Sequence, residues 1–379
     1  MGSFLSLPLT LITANATKRM YIITNRTLST SGTLSAFGKK PNASGPNELR
    51  LVNVSKSGRS WKVKPVADKL TKPQIKSLKA KFKLDIDISQ TWYASLKVAC
   101  ELFERAQKEN RSILFFVHGY NNDVRDVLNT ALELESLYKV IVVPFTWPAN
   151  GGGAISGTAS YLSDKSDARV SAGALNRAIG KIQYFHTLLT RSVQSKYHEL
   201  AHKKHRDNPS AAASLYAKLV EKDCSSKISL LCHSMGNYVL KHTLATSENA
   251  TSKLVFDNIC LVAADANNYK HDLWVGKLDV RKRVYVVINE EDYALKVSRI
   301  KPGREQKARL GHYTKNLNCF NAHYIDVTDA DHVKSEHSYF VDTSVKKNRQ
   351  LRAIFHDMFR GKAVEDKLDY RSDNNTYRL

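Results

Sequence analysis

The sequence predicts an α/β protein whose core is a mostly parallel sheet flanked by helices. Two observations carry this expectation. First, five apolar runs each end in polar or glycine-rich residues: Ile113 to Val117, Val140 to Phe145, Ile228 to Cys232, Ile259 to Ala263 and Val284 to Ile288. Near-continuous Val, Ile and Leu without alternation marks strands buried on both faces. Second, the segments between runs are long enough for crossover helices. A weaker sixth run, Tyr324 to Val327, extends the series.

The remaining elements follow in order. Tyr21 to Asn25 reads as a first strand. Glu48 to Val54 and Ser60 to Val66 flank a turn-like SKSGRS and read as an N-terminal hairpin extension. Thr71 to Phe82 and Trp92 to Glu109 carry helical spacing of apolar residues. Lys181 to Ser226 is too long for one crossover; polar, basic and helical in pattern, with a break at Asp207-Asn208-Pro209, it reads as a helical insertion able to cover a site. The expected organisation is a loose arm over 1–19, one domain over 20–366 and a frayed polar tail over 367–379.

Composition narrows the class. The chain has 379 residues, 42% apolar and 25% charged, enough for one large α/β domain. Five cysteines, an odd number with no CxxC pair, argue against a disulfide framework or a zinc ribbon and suit a reducing cytoplasm. The apolar stretch Phe4 to Ala14 lacks a basic flank and is too short to span a bilayer, although MGSFLS formally fits a myristoylation pattern. The formal charge of +22 attracts anions, whether a substrate, nucleic acid or a membrane surface. Its densest stretches are Lys62 to Lys83, His202 to Arg206 and Lys296 to Arg309. No nucleic-acid motif accompanies them, so solvated faces are the plain reading.

In parallel sheets the chemistry sits beyond the carboxyl ends of the strands. There the chain carries Cys232-His233-Ser234-Met235-Gly236, after a buried run and before a helical pattern. A nucleophile elbow needs this strand–turn–helix setting, so tight that the serine takes a strained backbone and projects its hydroxyl. Gly236 supplies the small residue two positions on, and Cys232 stands where a smaller one is usual. The other notable loop is His118-Gly119-Tyr120, after the first of the five runs. Backbone N–H groups of Tyr120 and Met235 are the expected oxyanion donors, with Gly119 allowing close approach. His118 is expected to shape that loop. The side chain of His233 is expected to point away from the acid–base position. Trp147 reads equally as pocket wall or core, and Asp164 as a structural hydrogen-bonding residue.

These strings together resemble a family of bacterial α/β-hydrolases of unassigned function. The matching stretches are FVHGYNN (116–122), FTWP (145–148), YLSDKSDA (161–168), LLCHSMGN (230–237), LVAAD (261–265), NEEDYALKVSR (289–299), ARLG (308–311) and EHSYF (336–340), with TNR at 24–26. They run in family order from about Arg111 to Phe340. Ala264 stands where the family tends to have proline.

The resemblance implies the α/β-hydrolase fold and a Ser–Asp–His order along the chain, with Ser234 as nucleophile. It places the acid at Asp292, with Asp265, one strand earlier, as the alternative. It places the base at His337, with His332 as the alternative. It also implies hydrolysis of an ester-like bond, without cofactor or metal, in a small-molecule or lipid-like substrate, for which the basic surface suggests an anion. Asp329, Asp331 and His332 read as polar surface rather than a metal cluster. A catalytically silent scaffold acting as a binding protein is the alternative reading.

Overall fold

In the computed structural model, residues 18–149, 157–223, 227–245, 254–300 and 307–379 are described. The chain opens with β1 (Lys18–Thr24), the short strands β2 (Arg26–Leu28) and β3 (Phe37–Pro41), and the hairpin of β4 (Arg50–Ser57) and β5 (Ser60–Pro65). Helices α1 (Lys72–Phe82) and α2 (Ala94–Glu109) lead into β6 (Ser112–Val117), α3 (Val124–Tyr138) and β7 (Val140–Thr146). Three helices follow, α4 (Gly157–Val170), α5 (Ala172–Lys204) and α6 (Pro209–Lys222). After them come β8 (Ile228–His233), α7 (Gly236–Ala245), β9 (Asn258–Val262), α8 (Asp272–Val275), β10 (Arg283–Ile288), α9 (Tyr293–Ile300) and β11 (Ala322–Asp326). The chain closes with α10 (Asp342–Lys347), α11 (Arg349–Phe359), β12 (Asp369–Arg371) and β13 (Thr376–Arg378).

Eleven strands form one sheet in the order β12-β13-β11-β10-β9-β8-β6-β7-β1-β4-β5. Pairing is parallel from β1 through β13 and antiparallel only at the two margins, β1–β4–β5 and β12–β13. Each apolar run of the sequence is one of these buried strands. Side-chain alternation sends Leu114, Phe116, Leu231 and Val262 to one face, under α3, α10 and α11. Phe115, Val117, Leu230, Cys232 and Leu261 go to the other, under α4, α5, α7 and α8. A smaller apolar cluster ties α1 and α2 to α5 through Leu96, Phe103, Phe185 and Leu189.

Three expectations change. β1 already begins at Lys18, paired with Lys56, so the N-terminal arm stops short of it; residues 1–17 lie outside the described residues. The helical insertion starts earlier than Lys181. α5 runs from Ala172 over 33 residues, about 50 Å, because Ala174, Leu175, Ala178 and Ile179 continue its buried stripe toward the sheet. The polar tail is not frayed: β13 adds in parallel to β11, β12 pairs with β13, and Thr376 is fully buried. Backbone pairing, together with an Arg378–Asp329 ion pair, orders a segment whose composition gives no apolar signal.

Register puts the strand ends level. Val117 pairs with Phe145 and Cys232, His233 with Val262, Val262 with Val287, and Ile288 with Asp326. The loops that follow therefore meet along one edge of the sheet.

Candidate active site

Ser234 follows β8 directly with φ 52°, a left-handed backbone that a β-carbon disfavours. Backbone bonds on both sides hold it there: Ser234 N–H donates to Val262 O at 3.1 Å, and Asp265 N–H donates to Ser234 O at 3.1 Å. Asn237 straps the same turn, its amide donating to Cys232 O and Ser234 O at 3.0 Å each and to Val262 O at 3.3 Å. Its polar side chain on a buried helix start was the available signal, and the sequence reading passed over it. A β-carbon on Gly236 would stand 2.5 Å from Val117 O, so β6 and the turn meet only over a glycine. Cys232 fits fully buried between the neighbouring strands, where burial pushes its thiol pKa well above the usual range.

The loop after β6 lies directly over the serine. A β-carbon on Gly119 would come within 2.7 Å of Ser234 Cβ. His118 braces the loop from behind: its Nδ1–H donates to Gly119 O at 2.9 Å, while Nε2 accepts from Trp147 N–H and the Thr146 hydroxyl, each at 3.2 Å. Trp147 is fully buried, stacks on His118 at 5.3 Å and donates its indole N–H to His118 O at 3.0 Å. It is core, not pocket wall. Burial, with Arg26 nearby, pushes His118 down to about 3, so the ring stays neutral. Arg26, of the TNR string, reaches Thr146 Oγ1 at 3.1 Å and Ala149 O at 2.9 Å, and burial lowers its pKa to about 10. Asp164 is fully buried and accepts from Asn121 N–H at 3.4 Å, on the same loop as Tyr120. Met235 N–H has no acceptor among the described residues.

On the far side, His337 Nδ1–H donates to Asp292 Oδ2 at 2.7 Å. The other carboxylate oxygen accepts from Leu295 N–H at 3.0 Å, at the start of α9, and Asp292 is fully buried. Asn289 pins the approaching loop, donating to Lys334 O at 2.8 Å and Glu336 O at 3.2 Å. Tyr339 anchors the loop beyond: its hydroxyl donates to Val287 O at 3.1 Å and accepts from Ala263 N–H at 3.2 Å.

His233 does not point away as expected. Its ring lies 4.6 Å from the His337 ring and 4.9 Å from Phe340, and its Nε2–H donates to His337 O at 3.2 Å. Alternation along β8 puts His233 on the face of Leu231 and of its cross-strand partner Val262, the α11 side, where the His337 loop passes. Burial, then the neighbouring His337, lowers the His233 pKa well below the usual range. No hydrogen bond joins Ser234 Oγ to His337 among the described residues; the contacts with His337 are made by His233.

The alternatives lie elsewhere. Asp265 accepts from the Tyr161 hydroxyl at 2.9 Å and the Ser298 hydroxyl at 2.8 Å, and pairs with Arg309 at 3.0 Å. Arg309 is only 2% exposed and also donates to Ser298 Oγ at 2.8 Å and Asn267 Oδ1 at 2.6 Å. This buried knot binds α4, α9 and the loop after β9, and Tyr161 packs edge-on against Tyr120 at 5.5 Å. His332 is exposed, with φ 65°. Among the described residues no group of three or more potential ligands stands close enough to hold a metal, and no helix is long and apolar enough to cross a membrane. Most of the Gly151–Thr158 loop lies outside the described residues.

A family model for an alpha/beta hydrolase of unknown function (DUF900) matches residues 97–202 and 196–345, more than half of the chain. The chain belongs to this family. The chain matches no curated protein and no solved structure. The family match spans β6 through α10 and so contains Ser234, Asp292 and His337; β1 and the β4–β5 hairpin lie outside it.

Proposed function

We propose that this protein is a serine hydrolase that cleaves an ester-like bond (carboxylic ester, thioester or amide) through an acyl-enzyme. One observation carries the reading: a serine in left-handed backbone at a strand–helix turn, whose chain neighbour His233 packs against an imidazole with its Nδ1 held by a fully buried carboxylate. His337 Nε2 takes the Ser234 proton as Oγ attacks the carbonyl carbon, and Asp292 stabilises the imidazolium. The oxyanion accepts from Tyr120 and Met235 N–H. Collapse expels the alcohol, thiol or amine, which receives the proton from His337. Water, deprotonated by the same imidazole, then releases the acid and restores Ser234. Catalytic hydrogen bonds commonly tighten only once substrate is bound, which accommodates the missing Ser234–His337 bond.

A fluorophosphonate probe is expected to label Ser234, and Ser234→Ala to abolish both labelling and turnover of fluorogenic esters graded in acyl length. Labelling that survives in Ser234→Ala would overturn the reading. A folded wild type inert to the probe and to every ester would favour the second reading, a silent scaffold, to which the absent Ser234–His337 bond also lends weight.

A further inference from the structure

The positive charge is concentrated rather than spread. Residues 56–83 hold ten lysines and arginines against one acid, Asp68, so 28 residues supply +9 of the chain's +22. These residues form the end of β4, the edge strand β5 and helix α1.

Strand alternation sorts the side chains of β5. Trp61 and Val63 turn inward and are buried, leaving Lys62 and Lys64 on the exposed face. Register carries that face across the sheet: Lys62 pairs with Ser55, and Ser55 with Arg19. Arg19 and Lys62 thus stand two strands apart, about 10 Å, and Lys64 lies about 7 Å beyond Lys62. With Asn53, Ser55 and Ser60 these cations line a shallow recess of about 850 Å³. Arg59 sits exposed at the hairpin turn, and Lys69, Lys72 and Lys76 continue the charge toward α1. None of these cations forms an ion pair among the described residues, whereas Lys81 and Lys83 farther along are matched by Glu104 and Glu199.

We propose that this face, Arg19, Arg59, Lys62 and Lys64 above all, binds the phosphodiester backbone of double-helical nucleic acid without reading its sequence. Exposed cations without an ion pair among the described residues, interspersed with hydroxyl and amide donors, are what phosphate contacts require. A trough admits a ridge of backbone, whereas a flat bilayer surface would leave its floor empty. Among the described residues no large apolar side chain is exposed between Arg50 and Lys83, so nothing there anchors in lipid. Base stacking is excluded because Trp61 is 6% exposed, with Lys56 lying over its ring at 5.2 Å. Single-strand binding without a stacking platform is correspondingly disfavoured.

The test is fluorescence anisotropy of a labelled 20-base-pair DNA duplex with the full chain between 50 and 200 mM salt. Four engaged phosphates give a log–log salt slope of about −3.6. The triple variant Arg59→Gln/Lys62→Gln/Lys64→Gln is expected to bind at least tenfold more weakly at 50 mM salt, with a slope shallower by about 2.7. Arginine at Lys62 and Lys64 is expected to preserve binding. Lys203→Gln/Lys204→Gln/Arg206→Gln, which removes the same charge at the far end of α5, is expected to leave most of it intact. Should the first triple variant fold poorly in a thermal melt, the single variants Lys62→Gln and Lys64→Gln replace it, each removing about one unit of slope. No duplex binding at 50 mM salt overturns the proposal, as does equal weakening by both triple variants. So does sedimentation with phosphatidylserine vesicles, abolished by the first triple variant, in a protein that ignores the duplex.

Discussion

At the scale of single residues, the site depends on a serine held in strained backbone and on a glycine above it that leaves no room for a larger side chain. Ser234 is held in its strained backbone by bonds to Val262 and Asp265, so it cannot retreat from the loop above it. Gly119→Ala would put a methyl 2.7 Å from Ser234 Cβ and 3.2 Å from its hydroxyl oxygen. Moving the loop misplaces the Tyr120 donor, so ester turnover is expected to fall about 10²–10³-fold. Overpacking is expected to cost about 1–3 kcal/mol of stability. Turnover within a factor of three of wild type would show that the loop does not bear on the chemistry. Asp292→Asn asks a different question. It keeps the shape but no longer holds His337 in the tautomer with a basic Nε2, so kcat is expected to drop about 10⁴-fold with the melting temperature little changed. An Asp292→Asn enzyme of near-normal kcat would transfer the acid's role elsewhere.

At the scale of elements, the loops are held by buried polar knots rather than by their own propensities. Arg309 and Asp265 join the loop after β9 to α4 and α9, each almost wholly buried and each surrounded by hydroxyls. Removing one partner strands a charge, so Arg309→Met is expected to cost about 3–5 kcal/mol in urea unfolding. Arg309→Met/Asp265→Leu should recover part of that loss, because the stranded carboxylate goes too. A double variant less stable than either single would refute this account. The strands of this scaffold were legible as buried apolar runs, and the serine turn as a motif in its strand–helix setting. Arg309 was not singled out, although it lies in the ARLG string, because an arginine in a basic stretch looks solvated until its neighbours are known. His233 faces the His337 loop because alternation along β8 sets it on the face of Leu231 and Val262, a step the expectation that it points away left out. β12 and β13 escaped notice because DYR and TYR owe their order to pairing across the sheet.

At the scale of the whole molecule, the sheet edge that carries the candidate site is built over neutral buried imidazoles, and this sets the response to acid. His118 is pushed down to about 3 and His233 lies well below the usual range, both mainly through burial. Between about pH 3 and 6.5 the unfolded chain therefore binds protons on these residues that the folded chain does not, and stability rises with pH across that window. Falling pH costs about 1.4 kcal/mol per unit below 6.5 for His118, with a further loss from His233. The ion-paired carboxylates act later. Asp357, beside Lys362 and Lys367, and Glu365, beside Arg283, are held at about 2; their stabilisation is complete above about pH 4.5 and fades only as pH falls toward 2. Urea midpoints at pH 7.5, 6.5, 5.5 and 4.5 are expected to stay level across the first step and then fall, before Asp357 and Glu365 protonate and against a partial offset from Asp167, which burial and then Asp164 raise to about 6. Ser234→Ala should follow the same curve, since the decline comes from the framework and not from the reacting groups. A midpoint that holds steady down to pH 4.5 would mean that the two imidazoles meet water or an acidic partner in the folded chain, and the oxyanion loop would lose the neutral ring on which its geometry rests.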